Sequence, residues 1–263
     1  MEEFETVTAE FDAETHVGHL TLNRPDALNA LSDQLRRDVV SGLQWLESQG
    51  EDDEGIALRA VIVEGADGNF CAGADITEFS DAAPGETSER QHYDFIRQFP
   101  VPVIAKIRGY CLGGGLETAM SCDFRFAHED ARLGLPEVNL GIIPGAGGVQ
   151  FISRLANPSA AMEVAMTGDH ISAERAHELR IVNRVHSDDL DDATQAFAEK
   201  IAAKPPLAIQ AIKDAARIST ETGLDEGRKY DRRRFEPLLD TEDHEEGARA
   251  FAEDDYTPEF EGR

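Results

Sequence analysis

The chain has 263 residues, enough to bury a substantial hydrophobic core as one large domain or as a core with an attachment. Its formal net charge of −27, with no basic patch along the sequence, leaves nothing to meet nucleic-acid phosphates. No apolar run approaches the roughly 18 to 20 residues that span a bilayer, and Cys71, Cys111 and Cys122 lack the CxxC spacing of a disulfide framework or zinc ribbon.

Acids gather in EDDE at 51–54, in DDLDD at 188–192 and along the C-terminal segment, and arginine far outnumbers lysine. In molar salt the Debye length shrinks to about 3 Å, so such an acidic coat stops repelling itself, and the pattern reads as that of a salt-adapted, halophilic protein. The N-terminal MEEFETVTAEFDAET has neither the basic start nor the apolar stretch of a secretory signal, so a cytoplasmic location is expected. The three cysteines read as small buried residues.

Residues 17–23 (VGHLTLN) alternate as a strand does, and Ser32 is placed to cap an amphipathic helix carrying Leu35, Val39, Leu43 and Leu46. RAVIVEG at 59–65, PVIAKIRG at 102–109 and CDFRFA at 122–127 are short apolar runs, the form of strands buried on both faces. Helical segments between them predict a largely parallel sheet with crossover helices, an α/β fold. DAAPGETSE at 81–89 has turn residues without periodicity and reads as a loop. Helices are expected at 158–167, 172–180, 189–203, 206–220, 223–236 and 241–252, with only VNRV at 182–185 extended among them. A soft boundary near residue 200 separates an α/β core, 1–200, from a helical region, 201–263.

Three glycine-marked junctions fall where buried strands should end. In FCAGADI at 70–76, Gly73 permits an unusual backbone angle and Ala74 offers an amide unobstructed by a bulky side chain; a purely structural turn would read the same way. In GYCLGGGLETAMSCD at 109–123, Gly113, Gly114 and Gly115 lead into a helix whose first amides can meet an anion or a developing oxyanion. Glu117 follows Gly114 by three residues on the same face, where it either complements the helix dipole or does chemistry. In GLPEVNLGIIPGAGGVQ at 134–150, Glu137 stands in apolar, glycine-rich surroundings behind Pro136, as a solvated loop acid or a buried reactive one. The glycines fail the GxGxxG spacing of dinucleotide binding, and GxSxG, GxxxxGK[ST] and HExxH are absent. The eight histidines have no ligand spacing and read as surface or satisfied core residues, so no metal site is expected.

FCAGADI, GYCLGGGLETAMSCD and LGLPEVNLGIIPGAGG together resemble, in order and spacing, the signature segments of the crotonase (enoyl-CoA hydratase/isomerase) superfamily. NRPDALNAL at 23–31 and GARAFAEDDYTPEFEGR at the C-terminus look like its terminal segments. The resemblance implies a spiral of ββα units with a C-terminal helical trimerisation region, assembled as a homotrimer or a dimer of trimers. It implies an oxyanion hole at the amides of Ala74 and Gly114, and two hydratase carboxylates, Glu117 and Glu137, gripping one water. Two acids sharing a site cannot easily both ionise, so one should keep a proton near neutral pH.

An acyl-CoA thioester is then the substrate, coenzyme A is part of it, and no separate cofactor is implied. The CoA moiety would be held around Arg24, Ala27, Leu28, Ala72, Asp75, Ile76 and Gly145, in part by backbone amides. The glutamate pair favours hydration of a trans-2-enoyl-CoA. A double-bond isomerase or another crotonase-type lyase is the alternative reading, and a non-catalytic acyl-CoA-binding relative a more distant one. Asp26 stands where many relatives carry a basic residue, and Asp254 and Asp255 where a Lys-Arg pair is common, so phosphate contacts would fall to Arg24 or to arginines of a neighbouring subunit.

Overall fold

The computed structural model describes residues 1–52, 55–79, 91–253 and 255–263; the loop expected at 81–89, part of the acidic run at 51–54, and Asp254 lie outside the described residues. The chain opens with β1 (Glu2–Glu3), β2 (Val7–Asp12) and β3 (Val17–Leu22), an antiparallel meander that pairs Val7 with Leu22 and Asp12 with Val17. Next comes α1 (Asp33–Gln49), started by Ser32, whose hydroxyl accepts from Leu35 N at 3.1 Å. Leu35, Val39, Leu43 and Leu46 are fully buried, as their spacing predicts, each worth about 1.5–3 kcal/mol over an exposed position.

A small hairpin, β4 (Glu51–Asp52) and β5 (Gly55–Ile56), leads into β6 (Ala60–Gly65). The helices α2 (Ile76–Phe79) and α3 (Gln91–Gln98) precede β7 (Val103–Ile107). Then follow β8 (Tyr110–Leu112), α4 (Gly114–Ser121), β9 (Phe124–His128) and β10 (Arg132–Gly134). The main sheet runs β1-β2-β3-β6-β7-β9 and ends on β12 (Arg184–His186), parallel from β3 onward. Both of its faces are covered: Val61 and Val63 join the core under α1, while Ala60, Ile62 and Ile104 pack with Ala198 and Ala202. That two-sided burial is why the β6 and β7 runs are continuously apolar rather than alternating.

After β10 come α5 (Gly148–Leu155), α6 (Pro158–Thr167), β11 (Ile171–Ser172), α7 (Ala173–Glu178) and α8 (Leu190–Ala202), within whose last turn residue 200 lies. Three further helices, α9 (Pro206–Ile218), α10 (Leu224–Phe235) and α11 (Glu242–Ala252), complete the described chain. The sequence reading did not anticipate β2, β8, β10 or β11. The last three are two or three residues long, too short for any periodicity to show.

Two histidines depart from expectation, His186, whose Nε2 is buried with no hydrogen-bond partner among the described residues, and His92. His92 is fully buried with Nε2 3.2 Å from Thr118 Oγ1, yet its Nδ1 is also buried and has no hydrogen-bond partner among the described residues, so it is a core residue but not a satisfied one. Burial pushes its pKa down to about 3, which keeps the ring neutral.

Candidate active site

Parallel pairing brings the three glycine junctions to one rim. Cys71 bridges Cys111 in parallel, Cys111 pairs in parallel with Leu133, and Leu31 bridges Ala74 on the outer side. Parallel segments leave their carboxyl ends on the same edge, so Ala74, Gly114 and Glu137 emerge together a few residues beyond that register. Gly113 turns the chain there with φ 51° and ψ −125°, and its N–H donates to Gly134 O at 2.9 Å, which ties the second junction to the third.

Gly113 is the N-cap of α4, which places Gly114 at the first helical position and Glu117 at the fourth, inside the first turn. A Cβ on Gly114 would stand 3.7 Å from Ala74 N, so the two backbones are close neighbours. Neither the Ala74 nor the Gly114 amide donates to another described residue, whereas Leu31 N and Asp75 N are spent on Gly73 O and Leu31 O. Two adjacent uncommitted N–H groups, one of them at a helix start, form a donor pair for a carbonyl oxygen that gains charge.

Glu117 is 3% exposed, and its Oε1 accepts from Ala146 N at 2.7 Å and Gly148 N at 2.8 Å. Gly148 opens α5 and Ala146 lies just before its N-cap, so the Glu117 side chain also caps that helix and meets its positive dipole end. Glu137 lies in a 3-10 turn, Pro136–Leu140, and its side chain leans against the bare Cα of Gly113, where an added Cβ would stand 2.9 Å from Glu137 Oε1. Its Oε2 is buried without a hydrogen-bond partner among the described residues. Burial, with a smaller contribution from the charge of Glu117, pushes the Glu137 pKa up to about 7.

The remaining predicted residues lie around the rim. Arg24 Nη2 pairs with Asp75 Oδ2 at 3.0 Å, and Asp75 also accepts from the Thr77 hydroxyl at 2.7 Å; these contacts hold its carboxyl below the usual range. The Ala27, Leu28 and Ala72 amides already donate to Arg24 O, Pro25 O and Leu28 O, so any ligand contact made there falls to carbonyl or side-chain atoms. Ile76 is 64% exposed, and Gly145 is exposed beside Ala146.

Two participants were missed from the sequence. The amides of Ala146 and Gly148 anchor Glu117, and the signal lay in PGAGG, where only Gly145 was singled out. Tyr93 is the second: its hydroxyl lies 2.9 Å from the position of a Cβ on Gly114, and burial, reinforced by Glu117, pushes the phenol up. Nothing about a lone tyrosine in a helix could have flagged it.

Residues 12–263 match the enoyl-CoA hydratase/isomerase family, which is nearly the whole chain. The chain belongs to that family. Among its relatives, the 2,3-dehydroadipyl-CoA hydratase of Escherichia coli is 39% identical, covering 93% of this chain and 94% of the relative. The mitochondrial enoyl-CoA hydratase of Pongo abelii is 37% identical over 95% of this chain and 86% of its own length. A crystal structure of enoyl-CoA hydratase from Bacillus anthracis superposes with a TM-score of 0.90 at 35% identity, covering 98% of this chain and all of that one. The fold is therefore the crotonase fold. Among the described residues no helix is long and apolar enough to cross a membrane, and no cluster of potential metal ligands is found.

Proposed function

We propose that the chain adds water reversibly across the double bond of a trans-2-enoyl-CoA to give the 3-hydroxyacyl-CoA. The observation that carries this reading is the unequal treatment of two neighbouring carboxylates. Glu117 Oε1 accepts from two amides, whereas Glu137 Oε2 is buried without a hydrogen-bond partner among the described residues and burial pushes the Glu137 pKa up to about 7. Environments that push a pair of acids apart assign one as base and the other as acid.

In this mechanism the thioester oxygen accepts from the Ala74 and Gly114 amides, which strengthen as it takes on enolate charge. Water between the carboxylates passes one proton to Glu117 as its oxygen bonds to C3. Glu137 gives its own proton to C2, and exchange with solvent then restores the pair. The same path in reverse expels water.

Arg24, Ala27, Leu28, Ala72, Asp75, Ile76 and Gly145 are assigned to the CoA moiety, with no cofactor beyond it. The exposed apolar side chains of Leu224, Phe235, Leu239 and Phe251, at 79%, 53%, 45% and 95% exposure, support a homotrimer, alone or doubled, that covers this C-terminal region. The test is loss of the conjugated thioester absorbance of crotonyl-CoA, with Glu117→Gln and Glu137→Gln each nearly abolishing it. Full turnover in either variant rules the mechanism out.

A further inference from the structure

A cavity of about 790 Å³ lies between α5 and α9. Two of its lining residues also touch the site: the Tyr93 hydroxyl faces Gly114, and the Ala146 amide holds Glu117. On α5 and its N-cap the lining residues are Gly147, Gln150, Phe151, Arg154 and Leu155, one helical face by their spacing. On α9 they include Ile209, Ile212, Lys213, Ala216 and Arg217, again one face.

The charge of this lining runs against the rest of the molecule. It holds five cationic and three acidic side chains, where the whole chain has 25 and 52. Asp123 is shared by two cations, Lys213 at 2.6 Å and Arg217 at 3.2 Å, so that cluster keeps a surplus positive charge. Desolvation outweighs the help of Asp123 and pulls the Lys213 pKa down to about 8, as for an incompletely compensated cation. Arg154 hydrogen-bonds only Gln150, through its backbone oxygen at 3.1 Å and its side-chain oxygen at 2.8 Å, with no carboxylate partner among the described residues. It sits six residues beyond Gly148, whose amide touches Glu117, and six residues of helix rise about 9 Å.

We infer that the acyl chain of the substrate runs from the glutamate pair into this cavity, and that the cavity accepts a chain ending in a carboxylate. The inference rests on the hydratase reading for its chemistry. The apolar walls of Phe151, Leu155, Ile209 and Ile212 take the methylenes, and Arg154 with the Lys213–Arg217 cluster meets the terminal anion. In a protein of this acidity a neutral tail would need no cations beyond the active centre, whereas an anionic tail would be repelled by nearly every other surface.

The experiment compares 2-enoyl-CoAs of equal length, six and ten carbons, ending in either a methyl or a carboxylate, alongside crotonyl-CoA. Calorimetric binding of saturated hexanoyl-CoA and adipyl-CoA reads the cavity independently of turnover. We expect the carboxylate-ended chain to be preferred in kcat/KM and in affinity by about 10-fold or more, the scale of one hydrogen bond between charged groups. Arg154→Gln should erase about 10-fold of that preference, with Arg217→Gln as a second variant acting in the same direction. Equal or better use of the methyl-ended chains overturns the inference, as does an Arg154→Gln protein whose preference is unchanged. If crotonyl-CoA and the enoyl panel are inert but adipyl-CoA still binds more tightly than hexanoyl-CoA, the cavity assignment stands and the hydration reading falls.

Discussion

Gly113 and Glu137 meet at the centre of the site, with room for no more than a hydrogen on the glycine, since a Cβ there would stand 2.9 Å from the glutamate Oε1. Gly113 also occupies φ 51° and ψ −125°, where an L-residue is strained by roughly 1–3 kcal/mol. Gly113→Ala should therefore lose about that much stability and push the Glu137 carboxylate off its position. Displacement on the order of 1 Å costs about 10²-fold in rate. Steady-state kcat/KM on crotonyl-CoA measures it, and a folded variant with wild-type activity would contradict the contact.

The raised pKa of Glu137 makes a prediction about stability as well as rate. Its folded value near 7 lies above the ordinary 4.5, so the folded state holds the proton more tightly than the unfolded chain. The associated stability is fully present below pH 4.5, declines as pH rises, and is lost once pH passes about 7. Glu137→Gln, which cannot ionise, should be more stable than wild type at pH 8 and show no such advantage at pH 4. Thermal melts of the two proteins across that range decide it, and an advantage at pH 4 alone would reverse the assignment.

In activity the same group should give a descending limb. Hydration that draws a proton from Glu137 loses its acid as pH rises through about 7, so kcat/KM should fall there. A profile flat from pH 6 to 9 would mean that Glu137 does not supply the proton.

All three cysteines are free and buried, and burial pushes the Cys71 and Cys122 thiols up to about 12 and the Cys111 thiol well above its ordinary value. Thiolate is the reactive form, so a thiol reagent at pH 8 should label none of them in the native protein and all three after denaturation. Rapid native labelling at any one would show that its strand opens.

The acidic surface should make stability depend on salt. With 52 acids against 25 bases, self-repulsion in dilute buffer opposes folding, and molar KCl screens it. The melting temperature should rise on going from dilute buffer to molar KCl, and a flat response would count against salt adaptation.

Much of the sheet was legible before the structure because its strands are buried on both faces. RAVIVEG and PVIAKIRG carry their burial in composition, and Ser32 with the spaced leucines of α1 carries a helix start and its inner face. The pairing of 70–74 with 110–112 and 132–134 was not legible, because those segments are too short for a pattern and meet only through tertiary contacts. Tyr93 and the cationic lining of the α5–α9 cavity were hidden for the same reason, since the residues involved are far apart in sequence.

The sequence by itself determined which chemical groups are present at each junction: two glutamates, and amides bared by glycines or alanine. Only the folded chain placed those two glutamates in different surroundings. The Ala146 and Gly148 amides arrive at Glu117, whereas Glu137 Oε2 is buried with no hydrogen-bond partner among the described residues, and burial pushes the Glu137 pKa up to about 7. Proton affinity is set by the dielectric and dipoles around a group, and those are properties of three-dimensional packing rather than of residue order.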